Sequence, residues 1–455
     1  MIRELEKFEI PDDNPFQNDN FDREVIANNL EKIINRTQGS LVISVDAGWG
    51  MGKTTFVKMW EKSLERNPEY HTVYFNAWEN DDTDDPLISI MVSMEDELPE
   101  KDGKINKIKD VGKQLIKKSI PIALKMLTYG VLDCDKIKLG DFNEKSLVEL
   151  AGNIGSIELM KHKEEMQAKG KFKEILKDYK QTLGKKIVFF IDELDRCRPT
   201  FAIETLERIK HLFDIEGFVF ILSLDKSQLI HCIRTLYGTE VDSSGYLRRF
   251  IDLEYSLPEP DRELYLNHII QKFELENDKT KLFFIPYLKG LVRIYNLSLR
   301  DINKLTYYLY LVLPMTPLYD DKKYLLIYLQ IQSIVYSVFP VLRIKEYDKY
   351  HQFLNKSYNE SELLEYFQKI EPKKTFKDIY YKGLNDIFID IIRNIIKINK
   401  DILYGKMERY NDEEDYTVGL DREDEYSIIH LLDETRRKLK FIDILEFVDR
   451  FNLGD

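Results

Sequence analysis

Cysteine is scarce in this chain: Cys134, Cys197 and Cys232 stand far apart, with neither the paired spacing of a metal site nor an even count for a disulfide framework. That pattern suits a reducing interior. The first residues, Met1 to Asp13, are charged and lack the apolar core of a signal peptide, so the expected location is cytoplasmic. Long uncharged apolar runs are few. Ile120 to Leu132 is too short to span a bilayer and carries Pro121 and Lys125. Tyr324 to Leu342 has the length, but Gln330, Gln332, Ser333, Ser337 and Pro340 would be poorly satisfied in lipid, so stable membrane insertion is not expected. Positive charge is also in deficit: a net charge of −13 opposes nonspecific binding to nucleic acid by the whole molecule. No internal repeat or low-complexity tract is evident.

The charge that is present is unevenly placed. Lys101 to Lys118 holds seven lysines against two aspartates, whereas Asp412 to Glu425 is strongly acidic. Solvated helix faces and an acidic loop account for both, and a nucleic-acid contact through the lysines is the less favoured reading. The chain, 455 residues with 43% hydrophobic content, is long enough for two or three domains.

Leu41 to Val45 reads as a short strand ending at a glycine-rich turn, and Phe56, Val57, Trp60 and Leu64 then share one helical face. Thr72 to Ala77 reads as a second strand, followed by an acidic loop and by Pro86, which suits the first turn of a helix through Met94. Ile187 to Ile191 and Phe218 to Leu224 are continuously apolar, as parallel strands covered on both faces are, and Phe250 to Leu257 reads as a fifth strand. Strands alternating with helices predict an α/β, doubly wound parallel sheet. Residues 1–99 and 187–258 form its two parts, with a lysine-rich helical insertion at 100–186 expected to make its own lobe. From 259 to 455 the apolar spacing is helical, in Leu264 to Phe273, Ile302 to Leu313, Phe376 to Ile398 and Phe441 to Phe451, which predicts a helical C-terminal domain.

The chemistry concentrates at strand ends. Ala47-Gly48-Trp49-Gly50-Met51-Gly52-Lys53-Thr54, with Thr55 next, fits the phosphate-binding loop pattern, alanine standing where the first glycine is usual. The glycines let backbone N–H groups turn toward phosphates, Lys53 reaches the β- and γ-phosphates, and the Thr54 hydroxyl can ligate Mg2+. The strand Ile187 to Ile191 delivers Asp192, a candidate to hold the metal through water, and Glu193, which would point to the other face and act on the attacking water, unless it is an ordinary surface acid. After the next strand, Ser223 and Asp225 meet the same end of the sheet. Asp225 is the chosen candidate to sense the γ-phosphate, and a helix N-cap explains it equally well. Arg248, Arg249 and Arg300 could offer a guanidinium to a nucleotide, surface ion pairs being the competing use.

At these residues the chain resembles the KAP family of P-loop NTPases. The resemblance rests on Trp49 within the loop, on Asn76-Ala77-Trp78, on the run Asp192-Glu193-Leu194-Asp195-Arg196-Cys197, and on Tyr246-Leu247-Arg248-Arg249-Phe250 with Pro258. It spans roughly Asn14 to Tyr310 and implies the additional-strand branch of P-loop ATPases, with ATP rather than GTP. Relatives often carry membrane helices between the loop and the acidic strand, and the same region here has no long apolar run. Some bacterial relatives take part in phage exclusion, so defence is an expectation. The expected function is Mg-dependent ATP hydrolysis driving a switch or assembly, in a homo-oligomer with a protein partner of unknown identity. A nonhydrolytic scaffold and a nucleic-acid motor are the alternatives.

Overall fold

In the computed structural model, residues 9–118, 144–273, 275, 284–313, 325–355, 357–370 and 392 are described here. The chain divides into two compact units, one running Lys7–Glu259 and the other holding the described residues from Pro260 onward. The first unit contains α1 (Arg23–Arg36), β1 (Leu41–Asp46), α2 (Lys53–Glu65), β2 (Tyr70–Asn76), α3 (Pro86–Glu97), α4 (Lys104–Lys118), α5 (Glu144–Leu183) and β3 (Lys186–Asp192). It continues through α6 (Pro199–Leu212), β4 (Phe218–Leu224), α7 (Lys226–Tyr237), α8 (Ser243–Leu247) and β5 (Leu253–Ser256).

The five strands form one parallel sheet in the order β2-β3-β4-β1-β5. β4 therefore stands between the strand that leads into the glycine-rich loop and the strand that ends in Asp192, as the additional-strand branch implies. Because side chains alternate across a strand, each central strand feeds two cores. Ile43, Val45, Val188, Phe190, Val219 and Ile221 meet Phe56, Trp60 and the helices α1 and α2 on one face. On the other, Ile187, Phe189, Ile191, Phe218, Phe220 and Leu222 meet α3, α6 and α7. Phe189 and Phe220 stack at 4.8 Å and Trp60 meets Phe190 edge-on at 5.4 Å, so aromatics fill both layers.

The described part of the lysine-rich region does not stand apart from this core. Ile105, Ile108, Val111 and Leu115 of α4, at helical spacing, join Phe172, Leu176 and Tyr179 of α5 in the cluster that covers the second face of the sheet. The described lysines of α4 from Lys104 to Lys113 are half-buried or exposed; Lys104 pairs with Asp178 at 2.8 Å and Lys109 with Glu95 at 2.5 Å. The apolar run Ile120 to Leu132 lies outside the described residues.

β5 is shorter than Phe250 to Leu257. Phe250 and Ile251 close the turn after α8 with their side chains in the core, and extended pairing with β1 begins only at Leu253.

The second unit is helical where described: α9 (Arg262–Lys272), α10 (Phe284–Ile294), α11 (Leu299–Val312), α12 (Leu325–Lys345), α13 (Tyr347–Leu354) and α14 (Glu360–Ile370). Its core gathers Ile302, Leu305, Leu309, Tyr336, Phe339, Leu342, Phe353 and Phe367. Gln332, Ser337 and Pro340 sit on α12 and are buried there within protein. Among the described residues no helix is long and apolar enough to cross a membrane. The segments Phe376 to Ile398 and Phe441 to Phe451, apart from 392, lie outside the described residues.

Candidate nucleotide site

The loop between β1 and α2 is shaped by backbone sign. Gly50 and Gly52 have φ of 73° and 83°, the left-handed region that side chains with a Cβ rarely adopt. Gly52 occupies the N-cap of α2 and supplies no side-chain cap, whereas Asp85, Asp225 and Asp261 cap α3, α7 and α9. The first N–H groups of α2 thus have no side-chain acceptor, the arrangement that suits a helix terminus to an anion.

Lys53 opens α2 and is buried, its Nζ donating to the carbonyls of Ala47 at 2.5 Å and Gly48 at 3.3 Å. Burial pushes its pKa down, and the nearby carboxylates of Asp195, Asp225, Asp192 and Asp46 pull it back up. Thr54 and Thr55 follow in the first turn, half-buried. Trp49 leaves the loop on the solvent side, and its indole N–H donates to Asp195.

Register places the carboxyl ends of three strands in one row. Asn76 lies opposite Asp192, and Asp192 opposite Ser223. Asp192 is buried, accepting from the Tyr74 hydroxyl at 3.0 Å and from the backbone N–H of Glu193 at 2.9 Å. Ser223 is buried and its Oγ has no hydrogen-bond partner among the described residues. An orphaned buried hydroxyl on the residue opposite Asp192 is costly unless a ligand completes it. Together with the uncapped helix and the carboxylates around Lys53, it fits a magnesium-bearing nucleotide.

Asp225 is committed elsewhere. Its Oδ1 accepts from Ser227 N at 3.0 Å, Ser227 Oγ at 2.6 Å and Gln228 N at 3.4 Å, so it is the N-cap of α7 and only faces Lys53 through space. Ser223, at the end of β4, is the buried polar group there whose hydroxyl has no hydrogen-bond partner among the described residues.

Glu193 has left the strand. It adopts φ 60°, outside β3, instead of pointing to the opposite face of the strand end, and its Oε1 pairs with Arg196 Nη1 at 2.9 Å. Burial raises its pKa, while Arg196 and a hydrogen bond from Asn76 oppose the rise.

Arg248 and Arg249 follow α8 on the exposed surface, with the Arg249 guanidinium 6.0 Å above the Tyr246 ring. Asp252 and Glu254, the acids nearby in sequence, are engaged elsewhere: Glu254 by Lys226 at 2.6 Å, and Asp252 by Lys210 at 3.7 Å and by the backbone N–H of Val42. Arg300 belongs to the other unit, exposed in the first turn of α11.

Arg23 is the residue that sequence reasoning passed over. Buried at the start of α1, it donates Nη1 to Gly52 O at 2.9 Å and Nη2 to Met51 O at 2.8 Å, bracing the loop from behind. Asn76, Asp195 and Arg196 were visible in their motifs without an assigned task.

The parallel order with an inserted strand, the glycine loop entering α2 at Lys53, and the carboxylate row at the strand ends define a P-loop nucleoside-triphosphate-binding core. The family described as "KAP family P-loop domain" matches residues 23–315, and the chain belongs to that family. Among curated proteins it is similar to the phage T7 exclusion protein of Escherichia coli K12, 23% identical over 247 residues, covering 52% of this chain and 32% of that one. It is also similar to an uncharacterized protein of Methanocaldococcus jannaschii, 31% identical over 176 residues, 34% of this chain and 89% of the other. The chain thus spans about a third of the length of the phage exclusion relative. Solved structures resemble it distantly. The ORC2 protein of Aeropyrum pernix (13% identity, TM-score 0.35) covers 83% of this chain and 95% of its own. Drosophila ORC bound to DNA (13%, TM-score 0.35) covers 90% and 98%. Likeness at that level carries no argument.

Proposed function

We propose that this chain binds ATP with magnesium at the Lys53 loop and hydrolyses it slowly, as a switch or assembly device. The observation that supports the reading best is Lys53, buried at an uncapped helix start amid Asp46, Asp192, Asp195 and Asp225. In this reading Gly48, Trp49, Gly50, Met51 and Gly52 supply the loop around the phosphates, Lys53 faces the β- and γ-phosphates, and Thr54 and Asp192 hold the ion. When bound, magnesium neutralises charge on the phosphate oxygens. Glu193 is the general base for the attacking water, once its carboxylate leaves Arg196. Calorimetry and phosphate release test this: Lys53→Ala should abolish useful affinity, and Glu193→Gln should keep binding while losing turnover. Full turnover in Glu193→Gln would sink that assignment.

A nonhydrolytic scaffold is the second reading, favoured by the Glu193–Arg196 pair, which engages the would-be base. Sustained binding with no turnover in the parent would establish it. A role in phage exclusion is proposed from the name of the Escherichia coli relative, and plaque counts on a host with and without the gene would test it.

A further inference from the structure

The short turn after β3 carries charged side chains with separate destinations. Asp195 takes the indole N–H of Trp49 in the loop. Arg196 turns back on Glu193, and its guanidinium also lies 5.4 Å over the ring of Trp78. Trp78 is tied to Asn76, whose Oδ1 accepts the Trp78 backbone N–H at 3.1 Å, and the Asn76 amide is the second group that bonds Glu193. Among the described residues, the groups that grip the Glu193 carboxylate come from the segment Asn76–Trp78 and the turn itself.

Two further features mark the grip as a strained, surface-linked one. Glu193 sits in the left-handed region at φ 60°, which a residue with a Cβ rarely adopts. Trp78, a large aromatic, is 52% exposed, so the far end of the arrangement reaches solvent. A carboxylate that accepts from a guanidinium has fewer lone pairs to offer a water and is a weaker base.

We propose that Arg196 is a positioning residue that holds the Glu193 carboxylate out of reaction, and that the exposed ring of Trp78 beneath its guanidinium sets how firmly it is held. The proposal rests on Glu193 being the base of the hydrolysis proposed above. Release requires Arg196 to swing off the carboxylate, and whatever removes the Trp78 ring from under it makes that easier.

The test compares the parent full-length chain with Arg196→Gln, Arg196→Lys and Trp78→Ala. Without nucleotide, hydrogen exchange followed by mass spectrometry reads the turn 193–197, where the Arg196 N–H bonds Glu193 O at 3.1 Å. With Mg-ATP, kcat and KM are measured across pH. Arg196→Gln and Trp78→Ala should both speed exchange in the turn and raise kcat about 3- to 10-fold at unchanged KM, the span of a partly exposed ion pair with a cation–π contact added. Arg196→Lys should fall between Arg196→Gln and the parent. The titratable and charged groups facing Glu193 are Asp192, Asp195, Arg196, Cys197 and Tyr74. Unchanged exchange in the turn, or a kcat unchanged or lowered in both Arg196→Gln and Trp78→Ala, overturns the proposal. Trp78→Ala alters an exposed position and decides the matter if Arg196→Gln does not fold. Should no protein turn over, the hydrolysis reading fails by itself, and exchange alone decides whether Arg196 and Trp78 hold the turn.

Discussion

Arg23 offers the sharpest test of how the loop is built. A peptide plane is rigid and trans, so anchoring a carbonyl aims the N–H of the next residue the opposite way. By holding Met51 O and Gly52 O, Arg23 directs the N–H groups of Gly52 and Lys53 away from itself, into the concavity where phosphate oxygens would lie. Arg23→Ala removes two charge-assisted hydrogen bonds of about 1.5–3 kcal/mol each, and water entering the space recovers part, leaving a loss of about 2–3 kcal/mol. If that loss falls on loop order, affinity for Mg-ADP drops roughly 30- to 150-fold. Isothermal calorimetry on the folded variant, with circular dichroism as the control, measures it. Gly52→Ala should resemble it, because a Cβ there would meet Arg23 Nη1 at 2.7 Å in a backbone with φ of +83°. The two should be non-additive, since both act through the same contact. A folded Arg23→Ala chain that binds Mg-ADP within threefold of the parent would refute the bracing argument.

Two other outcomes follow from neighbouring geometry. Glu61, flanked by Glu65 and Glu97, is pushed up from 4.5 to about 7, burial being the main cause, so its penalty on folding is absent below about pH 4.5 and complete above about 7. Glu61→Gln should then raise the Tm at pH 8 but not at pH 4.5, by about 1–3 kcal/mol of stability at the higher pH, and a loss at pH 8 would contradict it. For the exposed Arg249, which pairs with no acid among the described residues, mixing Arg249→Ala with Lys53→Ala subunits should restore some turnover if it reaches a neighbouring copy's site. No recovery in mixed assemblies confirmed by mass would leave Arg248 to be tested the same way.

How far sequence reached depended on whether the determining partner was local. β3 and β4 are legible because a strand buried on both faces must be apolar throughout, and no turn residue interrupts Val188–Ile191 or Phe218–Leu222. The limits of β5 were not, because Phe250 and Ile251 are apolar for a reason unrelated to pairing: they plug the core from a turn. The packing of α4 and α5 against the sheet was hidden by their lysines, although the stripe Ile105, Ile108, Val111, Leu115 was present to be read. In the site, Lys53 and Asp192 follow from motifs whose spacing encodes the chemistry. Arg23 has no such local pattern, since its partners lie 28 and 29 residues away. The choice between Ser223 and Asp225 turned on which atom the helix α7 had already engaged, and only coordinates state that.

The charge balance of the site leads to one more expectation, about the ion. Lys53 is the lysine of the loop, with the Arg23 guanidinium on the backbone behind it, and four carboxylates, those of Asp46, Asp192, Asp195 and Asp225, act on that lysine. A nucleotide triphosphate brings several more negative charges to the same place. Coulomb repulsion at an effective dielectric of about 20 is about 4 kcal/mol for two charges 4 Å apart, so a single lysine does not offset both sets. A divalent cation between them does, because it is attracted to phosphate and carboxylate alike. Nucleotide affinity should therefore fall by at least about tenfold when magnesium is chelated, more than a site lined only with lysine and backbone N–H groups would lose. Asp192→Asn should behave asymmetrically: weaker binding with magnesium present, and equal or stronger binding than the parent in EDTA, because one repelling charge is gone. If Asp192→Asn instead weakens binding by the same factor in EDTA and in magnesium, Asp192 is serving the fold through Tyr74 and not the ion.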